Sequence, residues 1–120
     1  MDLNFSPEDE RFREEVRDWL HAALSGEFKD LRGRGGAGDQ GELIAERKAW
    51  EKALGAAGWL GLSWPTEYGG RALPLTQEVI FNEEYARANA PGRMGHIGET
   101  LLGPTLIAFG TEAQKARFLP

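Results

Sequence analysis

The sequence predicts an all-α fold, an up-and-down bundle of four to five helices. Apolar residues recur at spacings of three and four through several long stretches, the pattern that turns one stripe of a helix toward a core. Those stretches open on residues that cap helix N-termini and close on glycine or proline. Sustained apolar–polar alternation is missing; only residues 59–64 approach it, and that run is short.

Ser6-Pro7-Glu8-Asp9 opens the first helix, with Ser as N-cap, Pro in the first turn and acids at the positive end of the dipole. Phe12, Val16, Trp19, Leu20, Ala23 and Leu24 then form one stripe, and Ser25-Gly26 should stop it. Residues 26–41 carry six Gly and no apolar period, which reads as a mobile loop. A second helix is expected over 42–57, burying Leu43, Trp50, Ala53, Leu54 and Ala57, with Gly58 as its C-cap. Residues 58–70, GWLGLSWPTEYGG, then place two Trp, a Pro and a Tyr in one loop. So aromatic a loop is expected to be packed, with Trp59, Trp64 and Tyr68 plugging a junction between helices.

Pro74 can start the third helix, expected over 76–88 with Val79, Ile80, Tyr85 and Ala86 on its apolar face and Ala90-Pro91-Gly92 as its stop. A fourth stretch covers 94–109, interrupted at Pro104, which has no N–H for the preceding turn. Thr111-Glu112-Ala113-Gln114 is a capping box for a fifth helix.

At 120 residues the chain is expected to be one domain, burying roughly two-thirds of the surface of its unfolded form. With no Cys there is no thiol nucleophile, thiolate metal site or disulfide, which fits a reducing compartment. Fourteen basic residues against 19 acidic ones give a net charge of −5, with the two signs interleaved. Nothing resembles a basic stripe for nucleic acid. The acidic N-terminus is unlike a secretory signal, and the longest apolar run, 101–109, is too short and too broken to insert in a membrane. The expectation is a soluble, cytoplasmic protein.

Candidate chemistry is sparse. Gly33-Arg34-Gly35-Gly36-Ala37-Gly38 matches the dinucleotide fingerprint in form, yet it follows a helix where the fingerprint needs a strand, so it reads as a flexible linker. His21 reads as a boundary residue of the first helix, and two isolated His do not make a metal site. His96 lies in a segment with glycine at 92, 95 and 98, a bare helical side that admits either a neighbouring helix or a ligand chain. Glu83 and Glu84 point about 100° apart on a helix, so one is expected to pair with a base and the other to be solvated. Glu99 sits among Ile97, Leu101 and Leu102; it is either a carboxylate of raised pKa able to act as a base or an exposed or ion-paired Glu, the reading most helical Glu bear out. No Ser-His-Asp order, phosphate loop or zinc-protease motif is present.

Several blocks in one order resemble the N-terminal domain of acyl-CoA dehydrogenases. Gly58-Trp59-Leu60-Gly61-Leu62 is similar to the family's GLLG turn, and Pro65-Thr66-Glu67-Tyr68-Gly69-Gly70 to its PEEYGG loop. Glu83-Glu84-Tyr85-Ala86-Arg87-Ala88 resembles EELARAD, and the run from Phe109 to Pro120 resembles FGTEEQKEKYLP. Two features depart from the pattern: the 26–41 connection is longer and richer in Gly, and Trp64 replaces a smaller apolar residue.

The resemblance implies a flavoenzyme of lipid metabolism that removes hydrogens from the α and β carbons of an acyl-CoA thioester. A glutamate takes the α proton, and hydride passes to FAD. It implies residues 1–120 as the helical N-terminal domain, with the β-barrel, the FAD-contacting segments and the catalytic glutamate of the C-terminal helical domain lying elsewhere. No catalytic or cofactor-binding residue and no metal site is therefore expected in this chain, and no FAD is expected on it alone. Residues 94–102 align with the acyl-pocket wall, which makes Met94, Ile97, Gly98, Leu101 and Leu102 the substrate-binding candidates; Gly92, Gly95 and Gly98 would leave room for a wide acyl group. The implied partners are an acyl-CoA, an electron-transfer acceptor and further subunits in a homo- or hetero-oligomer. A capped helix cut short at Leu119-Pro120 leads to the expectation of a longer parent protein. The alternative is a free-standing helical module that binds a partner subunit or an acyl-CoA.

Overall fold

The computed structural model describes residues 5–36, 38–39, 41–95 and 98–119. It is all-α: helices α1 (Pro7–Ser25), α2 (Ile44–Ala56), α3 (Leu75–Arg87), α4 (Gly103–Phe109) and α5 (Glu112–Phe118), with 3-10 turns at Lys29–Leu31 and Thr66–Tyr68 and a π-helical turn at Gly98–Leu102. Among the described residues there is no strand, and no helix is long and apolar enough to cross a membrane. The chain divides into two compact units, Met1–Arg47 with Pro74–Gly92, and Lys48–Leu73 with Arg93–Pro120.

In the first unit α1 packs on α3. The Ser6 hydroxyl accepts from the Asp9 amide at 3.1 Å, so the helix starts where its cap predicts. Phe12, Val16, Leu20 and Leu24 are buried at a constant spacing of one turn, while Trp19 and Ala23 from the same expected stripe are only half-buried and His21 is exposed. The α3 face differs from the expected one. Gln77, Ile80, Phe81 and Glu84 are buried, whereas Val79 is 43% exposed and Ala86 is at the surface. Charge accounts for the difference: Arg13 on α1 and Glu84 on α3 turn inward together, and their ion pair draws the Glu84 side of α3 into the core.

Both Glu83 and Glu84 pair with Arg13, which corrects the expectation that one of them is left to solvent. Glu84 also receives Arg17 at 3.3 Å and Arg87 at 3.2 Å. The helix ends at Arg87, and two residues on Asn89 has a φ of +55°, the left-handed conformation that Asn tolerates better than most residues. The Tyr85 hydroxyl then ties the corner to the Pro91 carbonyl.

The Gly-rich segment is less featureless than its composition implies. Leu31 is buried, Gly33 N donates to Asn89 O at 2.8 Å, and Gly92 N donates to Arg34 O at 2.8 Å. A Cβ on Gly92 would lie 2.2 Å from Gly35 O, so only glycine allows this approach. Arg34 and Asp39 form an ion pair at 2.7 Å, and Gly35 N donates to the same Asp39 carboxylate. Those two contacts hold the Asp39 carboxyl down at about 2.

In the second unit Trp50 and Leu54 of α2 are fully buried, with Trp59, Leu62 and Leu119. Ala57, expected in the stripe, is exposed beyond the helix end, and Leu43, expected inside α2, precedes it with a φ of +53°. Gly58 turns left-handed at φ +83°, as its capping role requires. The aromatic loop folds back on itself: Ala72 N donates to Trp64 O, and Leu73 N to Leu62 O, each at 2.9 Å. The fourth stretch begins as a π turn at Gly98 and becomes α-helical only at Gly103, so Met94 stands before the helix. Pro104 lies in the first turn of α4, where its missing N–H breaks no bond of that helix. At α5 both arms of the expected capping box are made, Gln114 N to Thr111 Oγ1 at 3.2 Å and Thr111 N to Gln114 Oε1 at 3.0 Å.

Candidate functional site

The second unit carries a half-open cavity of about 730 Å³, within the range of small-molecule sites. Three stretches that sequence treats separately build its walls. The aromatic loop supplies Leu60, Gly61 and Trp64; the π turn and α4 supply Gly98, Leu102 and Leu106; α5 supplies Lys115 and Phe118. Along one side run Glu51, Arg93 and Glu99.

Those three charged groups form one brace. Arg93 lies 3.4 Å from Glu51 through Nε and pairs with Glu99 through Nη2. Glu51 Oε1 also accepts the amides of Met94 at 2.6 Å and Gly95 at 3.0 Å. Glu99 Oε1 accepts Gly61 N at 2.8 Å. Each carboxylate thus fastens a backbone corner, and Arg93 joins the two. Bonds to ionised groups are about twice as strong as neutral ones, so three segments of the wall are held in fixed register. Glu99 is therefore ion-paired, not the isolated carboxylate that a base at this position would require.

Across the cavity Lys115 lies 3.5 Å from Glu112 and 5.7 Å from the centre of the Tyr68 ring. Burial pushes its ammonium down, but Tyr68 and the Glu112 charge outweigh that and leave its pKa raised. The net character is a mainly apolar cavity with charged groups fixed in its lining. It can bind and orient a largely apolar group, and among the described residues no group of His, Asp and Glu could hold a metal ion.

Of the residues expected at an acyl-pocket wall, Gly98 and Leu102 line this cavity. Leu101 is 61% exposed and, like Met94, does not line it. Ile97 and His96 lie outside the described residues. Gly92, expected to widen the same groove, packs instead against Gly35 in the first unit, while Gly95 does line the cavity. Sequence reasoning missed Glu51 and Arg93, whose roles depend on residues about 40 positions away. It also assigned the aromatic loop to packing alone. Its one available signal was Trp64, a large ring beside glycines.

The 33–38 segment does not fit a dinucleotide. No strand leads into it, and the Gly35 amide, which would face a phosphate, is taken by Asp39.

Residues 6–120 match the family described as acyl-CoA dehydrogenase, N-terminal domain. The chain is 56% identical over 111 residues to acyl-CoA dehydrogenase IpdE1 of Mycobacterium tuberculosis, covering 92% of this chain and 29% of that protein. Among solved structures it is similar to the Tcur3481-Tcur3483 steroid ACAD, with a TM-score of 0.80 and 34% identity over 100% of this chain and 29% of that one. It is also similar to the ChsE4-ChsE5 complex from Mycobacterium tuberculosis, with a TM-score of 0.77 and 30% identity over 100% of this chain and 28% of that one. It thus spans about 29% of the length of the curated relative it matches. A family match reaching from residue 6 to residue 120, on a helical fold shared end to end with solved members, establishes that the chain belongs to the acyl-CoA dehydrogenase family, as its N-terminal domain.

Proposed function

We propose that this domain forms part of the acyl pocket of an FAD-dependent acyl-CoA dehydrogenase that oxidises the α,β bond of an acyl-CoA thioester. The observation that carries the reading is the 56% identity to an acyl-CoA dehydrogenase over nearly the whole chain. The cavity between the aromatic loop and the π turn supports it, because Gly98 and Leu102 of the expected wall open onto it. FAD, when bound, accepts the β hydrogen as hydride; its binding and the base that removes the α proton belong to segments outside these 120 residues. The domain's own work is to enclose the acyl chain, exclude water from it and fix its depth.

The substrate is a wide, ring-bearing or branched acyl-CoA of lipid metabolism. Two observations favour this: one structural neighbour is described as a steroid ACAD, and Gly95 and Gly98 line the cavity without side chains. The intact protein works as an oligomer and passes its electrons to a separate acceptor. One structural neighbour is itself a two-component complex, which supports assembly with a different subunit. The absence of cysteine fits a reducing, cytoplasmic setting.

The test is turnover by the intact protein, purified with any partner subunit, of ring-bearing and straight-chain acyl-CoAs with an artificial electron acceptor. Flavin absorbance and ring-selective dehydrogenation are expected, while residues 1–120 alone should bind no flavin and turn over nothing. Turnover confined to short straight-chain substrates would overturn the wide-acyl reading, and an intact protein without flavin would overturn the activity.

A further inference from the structure

We propose that Trp64 is the specificity-determining residue of this domain, a fixed gauge that sets how wide an acyl group the cavity admits. The inference rests on the acyl-pocket reading and adds to it the side chain that does the selecting.

The indole is held from several sides. Its backbone is pinned by Trp64 N donating to Gly61 O and Trp64 O accepting from Ala72 N, both at 2.9 Å. The six-membered ring lies against Gly103 so closely that a Cβ there would sit 2.1 Å from Cζ2 and 2.6 Å from Cη2. On the loop side a Cβ on Gly61 would be 3.0 Å from Cδ2. The ring nitrogen donates to the carbonyl of Glu99 at 3.2 Å.

That last bond has a specific origin. In a π turn the carbonyl of residue 99 looks for the amide five residues on, and residue 104 is a proline with no N–H. The Glu99 carbonyl is left to another donor, and Trp64 supplies it. The ring therefore bridges the aromatic loop and the π turn, and swinging aside breaks its bond to that carbonyl.

Two other apolar groups on the cavity lack this restraint. Leu102 is 53% exposed and Phe118 57% exposed, so both are free to adjust around a ligand. Trp64, wedged against Gly103 and Gly61, is a large wall residue that cannot. An immobile wall discriminates by exclusion, and a difference of one methylene in a fitted pocket is worth roughly ten- to two-hundredfold in rate.

The experiment compares kcat/KM for hexanoyl-CoA and cyclohexylbutanoyl-CoA in the intact enzyme, as wild type, Trp64→Leu and Trp64→Phe. Trp64→Leu removes the outer ring, and the ratio of ring-bearing to straight-chain kcat/KM should rise by about tenfold. Trp64→Phe keeps most of the bulk but loses the N–H, so the ratio should stay within about threefold while thermal stability falls. A ratio within about twofold of wild type in Trp64→Leu, with both thioesters still turned over, overturns the gauge and leaves the acyl-pocket reading standing. Wild-type enzyme that neither binds nor oxidises any acyl-CoA overturns that reading and the gauge with it. Should Trp64→Leu not fold, Trp64→Met, with a longer side chain, reads the same ratio.

Discussion

Arg13 Nη1 donates to Glu84 Oε1 at 2.6 Å across 71 residues of sequence, and both side chains are nearly closed to water. Glu83, Arg17 and Arg87 complete the cluster from the rim. Removing one member of a buried pair strands the other, which costs about 3–5 kcal/mol, whereas replacing both with apolar groups is often neutral. Arg13→Met should therefore destabilise the chain by about 3 kcal/mol, since Arg17 and Arg87 still reach Glu84. Adding Glu84→Leu should restore most of that loss. Urea denaturation of the two variants checks it; a double variant as unstable as the single one would show that the cluster stabilises by more than mutual neutralisation.

The same cluster makes stability depend on acid. Burial pushes the Glu84 carboxyl up, but the hydrogen bonds and charges of Arg17 and Arg13 outweigh it, and the net direction is down. Its folded value then lies below the unfolded one, about 4.3 for Glu. The stabilisation is fully present above that unfolded value and is lost as pH falls toward the folded one. Urea midpoints should hold steady down to about pH 5 and then decline. In Glu84→Gln the decline should be shallower, because that proton no longer binds. Equal slopes for the two proteins would mean that other carboxylates govern the acid limb.

How far the sequence could be read follows from the range of each interaction. The α1 stripe, its Ser6 cap and the Thr111 capping box are local, and each stands where spacing places it. The face of α3 was misjudged because Glu84 is buried by a partner on another helix, which no window on α3 contains. Leu43 shows the same limit at a boundary: its hydropathy fits the α2 stripe, yet its positive φ puts it outside the helix. For the cavity, Gly98 and Leu102 follow from the resemblance, whereas Trp64 reads in sequence as a plug between helices and a departure from the family pattern. Its partners Gly103 and Glu99 lie beyond any local pattern, and only the fold shows that a missing proline N–H brings them together.

Glu51 is expected to act as a backbone clasp. Its Oε1 receives the amides of both Met94 and Gly95, so Glu51→Ala leaves the partly buried Met94 N–H and the exposed Gly95 N–H without that acceptor. An unsatisfied buried donor costs about 1–3 kcal/mol. Local opening at Met94 and Gly95 should become easier by about that amount, and their amide hydrogen exchange faster by tenfold or more. Exchange at Ile80, buried on α3 in the other unit, should not change. Unchanged exchange at Met94 and Gly95 would mean that the corner is held without the carboxylate.

Ala72 offers the opposite sign. It is exposed, with a φ of +49°, a conformation that costs an L-residue about 1–2 kcal/mol and glycine almost nothing. Its amide bond to Trp64 O is a backbone contact that any residue but proline can make. Ala72→Gly therefore releases the strain, against about 0.5–1 kcal/mol of extra entropy gained by the unfolded chain. The strain term is the larger of the two, so the variant should be more stable by up to about 1 kcal/mol. Thermal denaturation beside Ala72→Val decides the sign. A β-branched residue is strained further at this φ, so Tm should order as Gly above Ala above Val. The reverse order would show that residue 72 relaxes to a negative φ, at the cost of its bond to the gauge residue Trp64.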